Sequence, residues 1–140
     1  MFLTEQELKE TFWKNYNYRK RAQKFQFECP IRSGGADLIT IECFQENWQI
    51  NSFEFKLNDM KKVLLQAQGN LPFVNKSWIV IQEEKSQVVR DKYMNHICES
   101  KYIGIITVLQ GGKWEILKQP EFQKEIKWNQ ALLNLIMRGY

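Results

Sequence analysis

Residues 33–56 read SGGADLITIECFQENWQINSFEFK, and their reading decides the fold. The chain carries 20 basic residues against 16 acidic ones, yet this stretch holds no lysine or arginine until Lys56. It holds four acids, Asp37, Glu42, Glu46 and Glu54. ADLITIECF and WQINSFEFK are rich in β-branched and aromatic residues and are separated by a short polar run, which predicts two antiparallel strands joined by a hairpin around Gln45 to Asn47. Folding the chain back there brings Asp37 level with Glu54 to within about one residue, a bulge being able to shift the register. Period two places Glu54 and Lys56 on one face of the second strand and Phe53 and Phe55 on the other. Glu42 and Glu46 are expected on the strand surface and in the turn.

Working outward, Thr4 followed three residues later by Glu7 is a capping box that opens a helix to about Tyr16. Its apolar stripe is Leu8, Phe12 and Tyr16, and Glu5 falls on the same inward face, whereas Glu7 reads as a cap and Glu10 as a surface charge. KFQFECP is a short alternating strand ended by Pro30. After the hairpin, Asn58 is expected to cap an amphipathic helix carrying Met60, Val63, Leu64, Ala67 and Leu71, with Asp59 as a first-turn acid. SWIVIQ reads as a buried strand, so strand–helix–strand implies a right-handed crossover and a parallel pair. A helix near Ser86 to Ser100, a strand YIGIITVLQ, a turn at Gly111-Gly112, a strand KWEIL and a last helix from Pro120 to Met137 complete the chain. The expectation is one α/β domain over residues 1–140 with a mixed central sheet flanked by helices.

Composition bounds the partners. Apolar residues make up 44% and charged residues 26%, the balance of a globular chain with a real core. No apolar run approaches the ~20 residues of a membrane span, and the acidic N-terminus is unlike a secretory signal. Cys29, Cys43 and Cys98 lack paired C-x-x-C spacing, which points to free thiols, a cytoplasmic location and no structural zinc. His96 is the one histidine, which excludes nuclease and hydrolase mechanisms that need two; no G-x-S-x-G elbow or P-loop is present. Net charge is +4. The segment KNYNYRKRAQK (residues 14–24) concentrates Arg19, Lys20, Arg21 and Lys24 with two tyrosines and no acid, a composition suited to phosphate contact and stacking or to a solvated helix end. Lys61 and Lys62 form an exposed helix face that could also touch phosphate.

Two carboxylates brought together at one sheet edge repel each other, and a hard divalent cation relieves the repulsion. Such a cation polarises a phosphoryl oxygen and acidifies water. Lys56 could position or deprotonate the attacking water, and Glu5 could complete the site from the helix. At this point the pattern resembles the restriction-endonuclease-like superfamily, the PD-(D/E)xK nucleases, over roughly residues 4 to 82. GGADLI is similar to the strand bearing the metal-binding aspartate, with Ala36 in place of the usual proline, and FEFK matches the acidic-x-lysine element. EFKLNDMKKVLLQA is similar to the lysine-bearing helix with a Gln-Ala pair that follows it in several branches.

The resemblance implies an αβββαβ core, here extended by a C-terminal helix–strand–strand–helix. It implies Asp37 and Glu54 as Mg2+ ligands (Mn2+ substituting), Lys56 as the catalytic lysine, Glu5 as the helix-borne acid unless Glu7 or Glu10 takes that place, and Gln66 as a supporting or DNA-contacting residue. The expected activity is a metal-dependent DNA endonuclease, with RNA left open as substrate and a homodimer or a targeting partner protein in view. The alternative is a non-cleaving nucleic-acid-binding, assembly or regulatory protein that keeps the fold.

Overall fold

The computed structural model describes residues 1–138. Elements follow in the order α1 (Glu5–Tyr16), β1 (Ala22–Cys29), β2 (Ala36–Phe44), β3 (Asn47–Phe55), α2 (Met60–Asn70) and β4 (Lys76–Gln82). Then come α3 (Ser86–Val88), a π turn over Val89–Tyr93, α4 (Met94–Cys98), β5 (Ile103–Val108), β6 (Trp114–Lys118) and α5 (Gln130–Arg138). The strands form one six-stranded sheet in the order β1-β2-β3-β4-β5-β6. It is mixed: β3, β4 and β5 run parallel, while β1–β2, β2–β3 and β5–β6 are antiparallel.

Alternation along each strand divides the core between two faces. On one, Leu8, Phe12 and Tyr16 of α1 pack on Leu38, Phe53, Phe55, Trp78 and Val80. On the other, Met60, Val63 and Ala67 of α2 cover Ile79, Ile81, Ile103 and Ile105. Beside them, Leu132 and Leu135 of α5 cover Ile39, Ile41 and Ile50. The α1 cap is Thr4, whose hydroxyl accepts the Glu7 amide at 3.0 Å, as the capping box predicts. The β2–β3 turn is made by Gln45 and Glu46, both left-handed at φ 51° and 68°. That is the two-residue turn whose twist matches a hairpin, formed here without glycine or asparagine.

Three expectations are corrected. The cap of α2 is Asp59, not Asn58: its carboxylate accepts the Lys62 amide at 3.1 Å, and α2 ends before Leu71. The segment after β4 is helical over residues 86–98 as expected, with a π turn at Val89–Tyr93 inside it, and it places Val89 and Ile97 in the core. Glu42 is buried, not on the surface, since β2 turns it toward α1, where Tyr16 and Thr40 donate to its carboxylate at 2.7–2.9 Å. Pro120 starts no helix. Residues 119–129 run extended, tied by backbone bonds from Glu121 to Lys101, Gln123 to Asn75 and Lys127 to Pro72, and α5 begins only where Asn129 accepts the Leu132 amide.

Pro120 serves packing instead. An added Cβ on Gly104 would lie 2.6 Å from the Pro120 ring and 2.7 Å from the indole of Trp78. The absent side chain is therefore what lets β5 accept both. Gly104→Ala is expected to lower stability by roughly 1–3 kcal/mol through overpacking, read as a lower urea midpoint at unchanged m-value. An unchanged midpoint would show that Trp78 and Pro120 yield freely.

Candidate active site

The hairpin register is continuous from Phe44↔Asn47 to Leu38↔Phe53, which makes Asp37 and Glu54 the next opposed pair. Both lie on the sheet face covered by α2 and α5. Here side chains replace the backbone ladder. The Asp37 amide donates to Glu54 Oε2 at 3.3 Å, and the Phe55 amide donates to Asp37 Oδ2 at 2.9 Å. Two left-handed glycines, Gly34 at φ 85° and Gly35 at φ 73°, bring the chain into β2 at this point.

Glu54 is 0% exposed. Its Oε2 also accepts from Asn70 Nδ2 at 2.8 Å and from the Arg32 guanidinium at 3.2 Å. Arg32 in turn donates to Asn70 Oδ1 at 2.5 Å and to the Ser33 carbonyl at 3.0 Å. A Cβ on Gly69 would meet Arg32 Cδ at 3.2 Å, so the guanidinium stem lies closely across the end of α2. Glu54 Oε1 is buried and has no partner. Burial, and then the Asp37 charge, push the Glu54 carboxyl up to about 7, against the opposing pull of Asn70 and Arg32.

Lys56 follows the last residue of β3, and its ammonium pairs with Glu5 at 3.4 Å. No ion pair joins it to Asp37 or Glu54 among the described residues. Of the three acids on α1, Glu5 is thus the one that reaches the predicted lysine. Glu7 accepts from the Leu3 amide and Glu10 from Gln6. Gln66 is half-buried on α2 with its Oε1 unpartnered, and it makes no hydrogen bond to either carboxylate.

The basic residues separate into two groups. Lys61 and Lys62 are exposed on the first turn of α2, close in sequence to Lys56. Arg19, Lys20 and Arg21 lie at the opposite end of the sheet, before Ala22, which pairs with Glu42. Five residue steps along β2 separate Glu42 from Asp37, about 17 Å. Arg21 stacks over Tyr16 and Trp114 at 4.8 and 5.1 Å, and Lys24 donates to the Ile136 carbonyl.

Arg32 and Asn70 were not singled out from sequence. Arg32 stands one residue upstream of the acid-rich stretch, and Asn70 lies four residues after Gln66 on the same side of α2. The spacing from Gln66 offered a signal; nothing in the sequence marked Arg32 as the partner of Glu54. No protein-family model matches the chain, and no curated protein matches it. Among the described residues, no group of three or more His, Cys, Asp or Glu is placed to hold a metal ion. None of their helices is long and apolar enough to cross a membrane.

The Glu54 carboxyl titrates higher in the fold than its ordinary value of 4.5. Between that value and about 7 the native state therefore holds more proton than the unfolded chain, and stability falls as pH rises through this window. The metal-free protein is expected to melt at a lower temperature at about pH 8 than at about pH 5. Asp37→Asn keeps an oxygen for the Phe55 amide but removes the like charge. It should flatten the slope and melt above wild type at the higher pH. Identical pH profiles for the two proteins in EDTA would show that the carboxylates do not interact.

Proposed function

We propose that this chain is a metal-dependent nuclease of the restriction-endonuclease-like kind, hydrolysing phosphodiester bonds in DNA. One observation carries the reading. Two carboxylates on neighbouring inner strands each accept a backbone amide of the opposite strand at one end of the sheet, and Glu54 keeps a buried oxygen without a partner. A buried, uncompensated carboxylate oxygen is costly unless something positive or protonated meets it. The order α1-β1-β2-β3-α2-β4 supports the same reading, being the αβββαβ order that the resemblance implies.

Mg2+ or Mn2+ fits these residues, because magnesium is commonly held by one or two carboxylates and completes its shell with water and substrate oxygens. Asp37 and Glu54 would hold it. When bound, the ion would polarise a phosphoryl oxygen and lower the pKa of a water. The remaining roles fall to the chain itself. Lys56, 14% exposed at its side chain, has the charge to balance a developing phosphorane and to orient the attacking water. Glu5 keeps that ammonium in place, which makes it a positioning residue for Lys56 in this reading. Arg32 fixes the Glu54 carboxylate in one orientation. Lys61 and Lys62 are placed to meet backbone phosphate beside the site.

A second reading is favoured by Arg32. Its guanidinium and Asn70 already occupy Glu54 Oε2, so the chain could supply its own counter-charge and bind nucleic acid, or assemble with a partner, without cutting. Metal response separates the two. With a dissociation constant of ~0.1 mM, 10 mM Mg2+ should stabilise wild type by roughly 2.7 kcal/mol and Asp37→Asn far less. Supercoiled plasmid should be nicked by wild type with Mg2+ or Mn2+. Lys56→Ala should lose nicking while keeping the metal-induced thermal shift, and Asp37→Ala should lose both. If wild type shows no metal shift while Arg32→Ala acquires one, the self-compensated reading holds and the nuclease assignment fails.

A further inference from the structure

At the hairpin end of the sheet, β3 runs past the start of β4, whose first pairing is Asn51 with Lys76. A concavity of about 860 Å³ opens there between the hairpin, the extended segment after β6 and α5. A second, of about 410 Å³, shares Trp48 and Phe122 with it, so the two form one groove. Three of its aromatic rings face outward: Trp48 is 60% exposed, Trp128 53% and Phe122 42%. Lys24 and Lys124 line the first concavity and Lys76 the second. None of these lysines forms an ion pair among the described residues. Glu125 is the one acid in the lining.

We propose that this groove binds single-stranded nucleic acid, with unpaired bases stacking on Trp48, Phe122 and Trp128 and phosphates meeting Lys24, Lys76 and Lys124. Three exposed rings around one concavity form an apolar patch of the kind that marks a ligand or interaction site. The interleaved lysines decide which. The buried centre of a protein–protein interface is depleted in lysine, whereas single-strand sites combine a cationic groove with aromatic platforms. A duplex has its bases already stacked and offers the rings nothing. The Ile136 carbonyl holds the Lys24 ammonium at the groove wall, where its charge remains available to a polyanion. The groove lies at the end of the sheet away from Asp37 and Glu54, and its occupancy does not depend on cleavage.

The test uses the full chain in EDTA, which silences metal chemistry. A labelled oligo-dT of about 12 nucleotides, within the usual span of single-strand sites, is followed by anisotropy and by quenching of intrinsic tryptophan fluorescence. Binding with quenching is expected, and a duplex of equal length should bind more weakly. Trp48→Ala with Trp128→Ala should weaken binding at least ~10-fold. Trp48→Phe with Trp128→Phe, which keeps the rings, should retain most of it, so lost stacking is told apart from a lost fold. Lys76→Ala with Lys124→Ala should flatten the salt dependence. Arg90→Ala with Lys92→Ala, exposed on the helical segment after β4 and outside the groove, should leave oligo-dT binding unchanged.

Undiminished affinity in the double alanine variant, or an absence of quenching in wild type, would overturn the proposal. So would a dimer by light scattering that Trp48→Ala dissociates, because the groove would then be an interface between copies of this chain. Failure to nick plasmid with oligo-dT binding intact would count against the cleavage reading alone.

Discussion

The opposition of Asp37 and Glu54 across the β2–β3 hairpin is the constraint on which the rest of this structure depends. Two acids at that spacing are unfavourable, and everything nearby compensates. Each carboxylate accepts a backbone amide from the opposite strand, and Arg32 and Asn70 converge on one oxygen of Glu54. The compensation is incomplete, because Glu54 Oε1 stays unpartnered and the carboxyl resists ionisation. A purely structural ion pair would normally satisfy every buried oxygen. Glu54 thus ends one contact short at the open end of the sheet.

The charge distribution makes sense beside this. Overall the chain is only mildly basic, and its positive groups do not form one belt. Lys61 and Lys62 stand near the carboxylates, while Arg19 and Lys20 sit about 17 Å away past the hairpin end. Lys24, Lys76 and Lys124 belong to the aromatic groove. A polyanion that met all of these would have to run along the sheet, not across it. A long, dispersed footprint of this kind gives affinity that falls steeply with salt, because many counterions are released together.

Much of this was legible in the sequence. The limits of β2 and β3, the turn between them, the opposition of Asp37 with Glu54 and the parallel β3–β4 crossover all follow from period-two patterning and from a helix of matching period. Such signals are local and are written in consecutive residues. The misreadings share another cause. Glu42 looked like a surface acid because alternation alone cannot tell which face α1 covers, and Tyr16 and Thr40 meet it only in the folded state. Pro120 resembled a helix start because proline suits a first turn, but the backbone of residues 119–129 is claimed by Lys101, Asn75 and Pro72. Arg32 was missed for the reason that hides most ion pairs: its partner lies 22 residues away, across a loop and two strands. Period-two patterning set Asp37 opposite Glu54, but nothing in it revealed the Arg32 guanidinium beside them.

The placement of α5 has a consequence for how the chain is made. Leu132 and Leu135 cover Ile39, Ile41 and Ile50, so the second face of the hairpin is closed by residues more than 80 positions downstream. At synthesis rates of about 5–20 residues per second, that face waits several seconds or longer for its cover. During this interval a β-branched face of β2 and β3 is open to solvent and to other nascent chains. The hairpin that carries both carboxylates is thus among the first elements able to form and among the last to be covered.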